Sequence, residues 1–477
     1  MACSVINSAR IGLFAVLAWA VLFSGLALAQ DKKAGEGAAE PEQPAAEQPA
    51  AKRPAVSRDY KTIKVDESLR RSVSKLSQAL RKGFAAGDAA LFDKVCNDYI
   101  LATWTQPKNH SQLSTLRGKL RGQLQSCKTS VPTRKHFNDY LLAKLQEMAA
   151  DNYHPAVRYN SMLLLGELDE KPAMRVGDTP TPLSAALPIL LKEAANEEQI
   201  DSVKLAALLG VARHGFTLRD ADARRNVGNA MSTLATTKSS EGTSTAGQSW
   251  MRCIAVDTLG MLRSAGAQGA TAKLLLGIVD DDEDPMRVRV AAARAVGNLT
   301  YGNSPGLVPD AMVRQLGRMA MSACKKEIEE CEEKDRTISP RTLKNQLAAA
   351  RIGLMGNDNT RDVKVTGGAM SLIKKSDVKK NANAIREKID RWIGLLDAEE
   401  LVKKLERKNQ SNVPGMGMGG PGMGGEMGMM GMGGPGMGMP GRGRGAAEEK
   451  EDEMKTASDD VIAEIKEDLK DFALLVQ

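Results

Sequence analysis

Apolar residues recur at helical spacing over most of the chain, and no run alternates with a period of two for long enough to predict a strand. Leu69, Val73, Leu76 and Leu80 mark a first helix, with Asp66 placed to cap it and Gly83 to end it. A second follows Asp88 and carries Leu91, Phe92, Val95 and Tyr99 on one face. A third follows Pro132 with Phe137, Tyr140, Leu141, Leu145 and Met148. Near the end, Val461, Ile462, Ile465, Leu469, Phe472 and Val476 form one stripe behind Ser458, a good N-cap followed by Asp459 and Asp460. The body reads as all-α.

The strongest pattern is a repeat. It runs Val157-Arg158 to Gly166-Glu167-Leu168, Val203-Lys204 to Arg213, Met251-Arg252 to Gly260-Met261-Leu262, and Val288-Arg289 to Gly297-Asn298-Leu299. Successive copies start 46, 48 and 37 residues apart, and a weaker copy spans Leu343 to Leu354. Apolar helices precede the units, as at Pro182 to Ala194 and Ala270 to Val279. Two helices per unit at about 40–47 residues is the period of a helical-hairpin array. The small residues Ala206, Ala207, Ala255, Ala291, Ala292, Gly260 and Gly297 let neighbouring helices approach closely.

The pattern acid-x-Pro-x-Val-Arg-x-x-Ala-x-x-x-Leu-Gly resembles HEAT repeats, in particular the second helix of each unit. The resemblance covers roughly residues 135 to 400 and implies an α-solenoid, while saying almost nothing about function. Each unit carries a base near its start: Arg158, Lys204, Arg252 and Arg289. Such a series could line a ligand-binding face. The favoured alternative is an internal ladder in which each base pairs with an acid of the inter-helix turn, such as Asp151 or Asp282. Three of the four units carry an acid there, Asp151, Glu197 and Asp282.

The expected organisation is a signal peptide (1–29), an Ala/Pro/Glu-rich disordered tether (30–58), a helical N-terminal cap (59–134), the repeats (135–383) and a helical C-terminal cap (384–409). A Met/Gly-rich linker (410–447) and an acidic amphipathic helix (448–477) follow. Arg10 precedes an apolar run, and Ala27-Leu28-Ala29 fits a cleavage site between Ala29 and Gln30. Gly25 and that triplet favour cleavage over an uncleaved anchor, and no later run is long enough to span a membrane. The expected location is periplasmic or extracellular.

Five cysteines remain beyond the signal segment: Cys96, Cys127, Cys253, Cys324 and Cys331. Cys324 and Cys331 lie about 10 Å apart on a helix, beyond the roughly 7 Å a disulfide allows. Cys96 with Cys127 is the pairing to test first, and no spacing matches a zinc site.

Charge is distributed unevenly. The full chain carries +7, but residues 448–477 carry −7, so the body is basic. Either an anionic partner or self-docking of the tail would answer that asymmetry. Residues 413–445 hold 9 Met and 16 Gly, Met416 to Met439 among them. Thioethers in an exported protein can hold Cu(I), whereas glycine at this density favours a plain linker.

Catalytic signatures do not emerge. No H-E-x-x-H, P-loop or C-x-x-C occurs, and there are four histidines in all. Gly302-Asn303-Ser304-Pro305-Gly306 matches a nucleophile elbow formally, but Pro305 has no N–H for an oxyanion hole. The His-Glu pairs of iron hydroxylases built on the HEAT fold are absent, and His154 and His214 read as structural residues at helix ends. No cofactor and no metal residue is expected, and aromatics at 4% argue against a base-stacking surface for nucleic acid. The expected function is a non-enzymatic, exported protein-interaction scaffold with unidentified protein partners. The alternative is an envelope protein handling Cu(I) through its Met-rich tract.

Overall fold

The computed structural model describes residues 59–127, 130–238, 244–302, 304, 306–357, 367–397 and 445–477, with side chains from 455 onward in the last stretch. The expected signal segment with Ala29 and Gln30, the expected tether 30–58, the end of the expected C-terminal cap (398–409) and the Met/Gly tract up to residue 444 lie outside the described residues. Among the described residues the fold is all-α, and no helix is long and apolar enough to cross a membrane.

The chain divides into two units after Thr258. The first contains α1 (Ser72–Lys82), α2 (Asp88–Val95), α3 (Leu113–Gln125), α4 (Val131–Ala150), α5 (Pro155–Glu167), α6 (Ala186–Ala195), α7 (Asp201–Thr217) and α8 (Ala221–Thr236). Helix α9 (Thr245–Met261) carries the division. The second contains α10 (Ala270–Asp280), α11 (Met286–Asn298), α12 (Pro309–Glu333), α13 (Pro340–Met355), α14 (Ser376–Leu396) and α15 (Gly445–Leu475). Gly83 ends α1 at a positive φ of 94°, and Ser130 caps α4, its Oγ accepting from Thr133 N–H. One turn of π-helix (Cys96–Leu101) follows α2 and buries Cys96 and Leu101.

Within each unit, helices pack against their immediate and next-but-one neighbours, as stacked hairpins require. In the first unit α5 contacts α4 and α7, and α7 contacts α6; in the second, α11 contacts α10 and α13, and α13 contacts α12 and α14. The repeat glycines sit where the second helices of successive hairpins touch. A Cβ on Gly166 of α5 would lie 2.8 Å from the Gly210 Cα of α7. A Cβ on Gly297 of α11 would overlap the Ile352 carbonyl of α13. Glycine in the repeat thus sets backbone-to-backbone packing, and Val157, Val203 and Val288 fill the core beside it with no exposed surface.

Two short strands interrupt the helices, β1 (Asp169–Lys171) and β2 (Thr181–Pro182), paired antiparallel. They close the polar stretch between α5 and α6 into a hairpin whose tip exposes Met174 and Val176. Arg213 pins its base, donating to the carbonyls of Gly166 (3.1 Å) and Leu168 (3.4 Å) and to Asp169.

The cysteine pairing is corrected. Cys96 and Cys127 are both free and buried. Cys96 is enclosed in the π-turn, where burial drives its thiol pKa far up, and Cys127 directs its Sγ at the Ser130 carbonyl, 3.7 Å away. Cys324 and Cys331 are free as well.

Candidate interaction surface

The ladder bases are internal, but their partners differ from the expected acids. Arg158 Nε donates to the Ala149 carbonyl (3.0 Å) and its guanidinium to Gln199. Lys204 Nζ reaches the Glu197 carbonyl at 3.3 Å, Arg252 Nε the Ala235 carbonyl at 2.8 Å, and Arg289 Nε the Val279 carbonyl at 2.9 Å. Ala149, Ala235 and Val279 each lie in the last turn of the preceding helix, where carbonyls have no intrahelical donor and the helix dipole is negative. The three arginines are therefore C-terminal caps on the neighbouring helix, while Lys204 holds the turn after α6. Only Arg289 also meets its expected acid, Asp282, at 2.7 Å, and that carboxylate is 78% exposed. Asp151 is instead taken by Lys61 at 2.5 Å, whose hydrogen bond lowers the Asp151 pKa. A ligand ladder is ruled out for Lys204, Arg252 and Arg289 by burial, each being less than a tenth exposed.

The histidines have structural places. His154 caps α5 through Nδ1, which accepts from Ala156 N–H at 3.2 Å, and its ring stacks on His110 at 3.9 Å. His214 is interior to α7 and 3% exposed, and burial lowers its pKa to about 4. Among the described residues, no group of three His, Cys, Asp or Glu side chains is arranged to hold a metal.

The most elaborate recognition geometry is on the second unit, where α15 docks against α12 and α14. Both α14 and α15 carry apolar heptads. In α14 the buried positions are Ala382, Ile385, Ile389, Trp392 and Leu396; in α15 they are Ile462, Ile465, Leu469, Phe472 and Val476. Each series steps by three and four residues in turn, the seam of a coiled coil. Polar contacts show that the helices run antiparallel: Arg391 meets Glu464, Lys388 meets Asp468, and Asn381 donates to the Leu475 carbonyl. Phe472 packs on the Trp392 ring with centroids 4.7 Å apart.

Asp468 is the centre of the docked face. Its carboxylate is 4% exposed and accepts from Lys388 Nζ (2.5 Å), Arg391 Nη1 (2.9 Å) and Trp392 Nε1 (3.2 Å). Three donors satisfy a carboxylate that burial alone would disfavour. At the far end, Arg314 donates to the Gln477 carbonyl at 2.9 Å and Arg318 to the Val476 carbonyl at 3.2 Å. Val476 fills a notch at Gly317, where an added Cβ would lie 2.5 Å from the valine side chain.

The other end of α15 fixes the α12–α13 turn. Ser458 Oγ accepts from Ile338 N–H at 2.9 Å, Lys455 pairs with Asp335 at 2.7 Å, and Lys466 pairs with Glu332. Asp335, at a positive φ of 45°, and Arg336 form that turn. Arg336 grips Glu327 through both carboxylate oxygens at 2.8 and 3.1 Å, and its hydrogen bond lowers the Glu330 pKa. Ser458 is thus corrected from an N-cap to a buried position inside a helix that begins at Gly445.

Sequence reasoning placed the apolar stripe of α15 but missed Asp468, Lys388, Arg391 and Gly317. The matching heptads were the available signal for the α14–α15 pair; the Gly317 notch had none. No family model, curated protein or solved structure matches the chain.

Proposed function

We propose that this protein is an exported, non-enzymatic interaction scaffold whose helical hairpins are of the HEAT class. The observation that carries the reading is the groove of the second unit, which recognises an amphipathic helix through an apolar heptad and a buried, triply hydrogen-bonded carboxylate. Stacked hairpins offer such grooves because each helix exposes what its missing neighbour would cover. The A-L-A triplet before Gln30 supports export by a cleaved signal, and mass spectrometry of the purified mature chain tests it: a first residue other than Gln30 overturns that cleavage site.

The scaffold itself is tested by crosslinking and affinity purification from envelope fractions. Mature protein is compared with versions lacking residues 414–440 or 458–477. A specific partner retained in the first deletion supports the reading, and no reproducible partner in any version overturns it. Cu(I) titration of the same preparations tests the alternative, which fails when removal of 414–440 leaves the affinity unchanged.

A further inference from the structure

We infer that the α12–α14 groove is a receptor for acidic amphipathic helices, that α15 is its resident and displaceable occupant, and that the partner of the scaffold engages the groove with a helix of the same chemistry. The inference rests on the scaffold reading and specifies its partner.

Three observations set α15 apart from the other packed helices. Residues 398–444 separate it from the end of α14 in sequence and are rich in Gly and Met from 415 on, whereas α10 to α13 follow one another through short turns. Its contacts are rich in charge pairs: Asp468 with Lys388 and Arg391, Glu464 with Arg391, Lys466 with Glu332, and Lys455 with Asp335. Its charges also match the wall locally: its acids Glu464 and Asp468 face the bases of α14, and its lysines Lys455 and Lys466 face acids of α12 and the turn after it.

The groove specifies what it accepts. The heptad seam of α14 requires apolar residues at steps of three and four, the notch at Gly317 takes the branched aliphatic side chain of Val476, and Lys388, Arg391 and Trp392 together require a carboxylate next to the seam. A helix with a neutral or basic residue at the Asp468 position would leave the half-buried Lys388 and the buried Trp392 N–H without that acceptor and take one of two carboxylates from Arg391. The partner is therefore an acidic helix, and basic or uncharged amphipathic helices are rejected.

The test keeps the whole chain. A specific protease site is placed within residues 415–440, the chain is cut, and a fluorescent peptide of residues 445–477 is added while anisotropy is followed. Expected is exchange of the peptide into the groove, with affinity at least about tenfold weaker at 0.5 M salt than at 0.05 M. A peptide of unrelated sequence that keeps the heptad and the buried acid binds within about tenfold of the native one. The D468K peptide loses at least about tenfold, and because the change is in the peptide, folding of the receptor is untouched. Failure of the native peptide to exchange while the cut chain stays folded overturns the inference, as does equal binding of the D468K peptide. A partner crosslinked at some other face, in an experiment where the peptide does not exchange, sinks this inference and leaves the scaffold reading standing.

Discussion

Replacing Arg289 with methionine separates the two explanations of the repeat bases. If the arginine matters as half of an ion pair with Asp282, then Asp282→Ala and Arg289→Met should cost about the same. The structure predicts a large asymmetry. Arg289 is 2% exposed and donates to the Val279 carbonyl at 2.9 Å and to Ser322 Oγ at 3.1 Å. Losing a charged donor to a buried carbonyl costs about 1.5–3 kcal/mol, and the Val279 carbonyl is left at a helix end with one partner fewer. Methionine keeps much of the arginine's volume, so the cavity contribution stays small. The Asp282 side of the pair is mostly in water, where an ion pair contributes about 0–1 kcal/mol. The expected costs are therefore about 3 kcal/mol for Arg289→Met and under about 1 kcal/mol for Asp282→Ala. Urea unfolding followed by circular dichroism measures both, with hydrogen exchange at α10 and α11 assigning the loss to the second unit. Equal costs for the two variants, or an Arg289→Met cost below about 1 kcal/mol, would refute the capping argument.

Four further outcomes follow from the same geometry. Asp151→Ala should weaken the Lys61 contact and leave α5 in place, because Arg158 holds the Ala149 carbonyl and Gln199; exchange protection in α5 that falls with this variant contradicts it. Gly166→Ala should destabilise by about 1–3 kcal/mol, since its Cβ meets the Gly210 backbone, whereas Gly118→Ala, with open space in α3, should stabilise by up to about 1 kcal/mol; thermal melts of both decide it. His214 is buried neutral with a pKa near 4, so between its ordinary value of 6.5 and 4 the unfolded chain binds the proton and the folded chain does not. Stability should fall as pH falls through that window, by about 3 kcal/mol at its end, and a pH series in which His214→Gln is as steep as the native chain would contradict it. Phe472→Ala should cost about 3–5 kcal/mol of docking and redden Trp392 fluorescence, and an unchanged spectrum would show that the ring contact does not shield the indole.

What could be read from sequence and what could not divides along a physical line. Helix positions followed from apolar periodicity, because a buried stripe must recur at about 3.6 residues wherever a helix packs: Leu76 and Leu80, Phe92 and Val95, and Leu141 and Leu145 are all buried as the pattern requires. The glycines of the repeat also declared themselves, because backbone contact between helices excludes every larger residue. The partners of the bases did not. A guanidinium can be satisfied by a side-chain acid or by a backbone carbonyl, and only the acid leaves a trace in the sequence. Asp151 and Asp282 stood at suggestive positions, while the carbonyls of Ala149, Ala235 and Val279 were invisible.

The tail presents the converse case. Its acidity against a basic body admitted two solutions, an outside anion or the chain itself, and net charge cannot choose between them because it carries no register. Register comes from the heptads. Ile462 to Val476 and Ala382 to Leu396 share one step pattern, and once they are laid antiparallel, Asp468 falls opposite Lys388 with Arg391 and Trp392 beside it. A buried carboxylate beside an apolar seam is costly unless every donor is in place, so this cluster discriminates between registers more sharply than the apolar contacts do. Sliding α15 by one heptad would keep most apolar contacts and bring Val461 or Leu475 to the place of Asp468, leaving Lys388 and Arg391 facing a hydrocarbon. Among the charges of the tail, Asp468 is therefore the one that fixes the register, and it decides which helices the groove will hold.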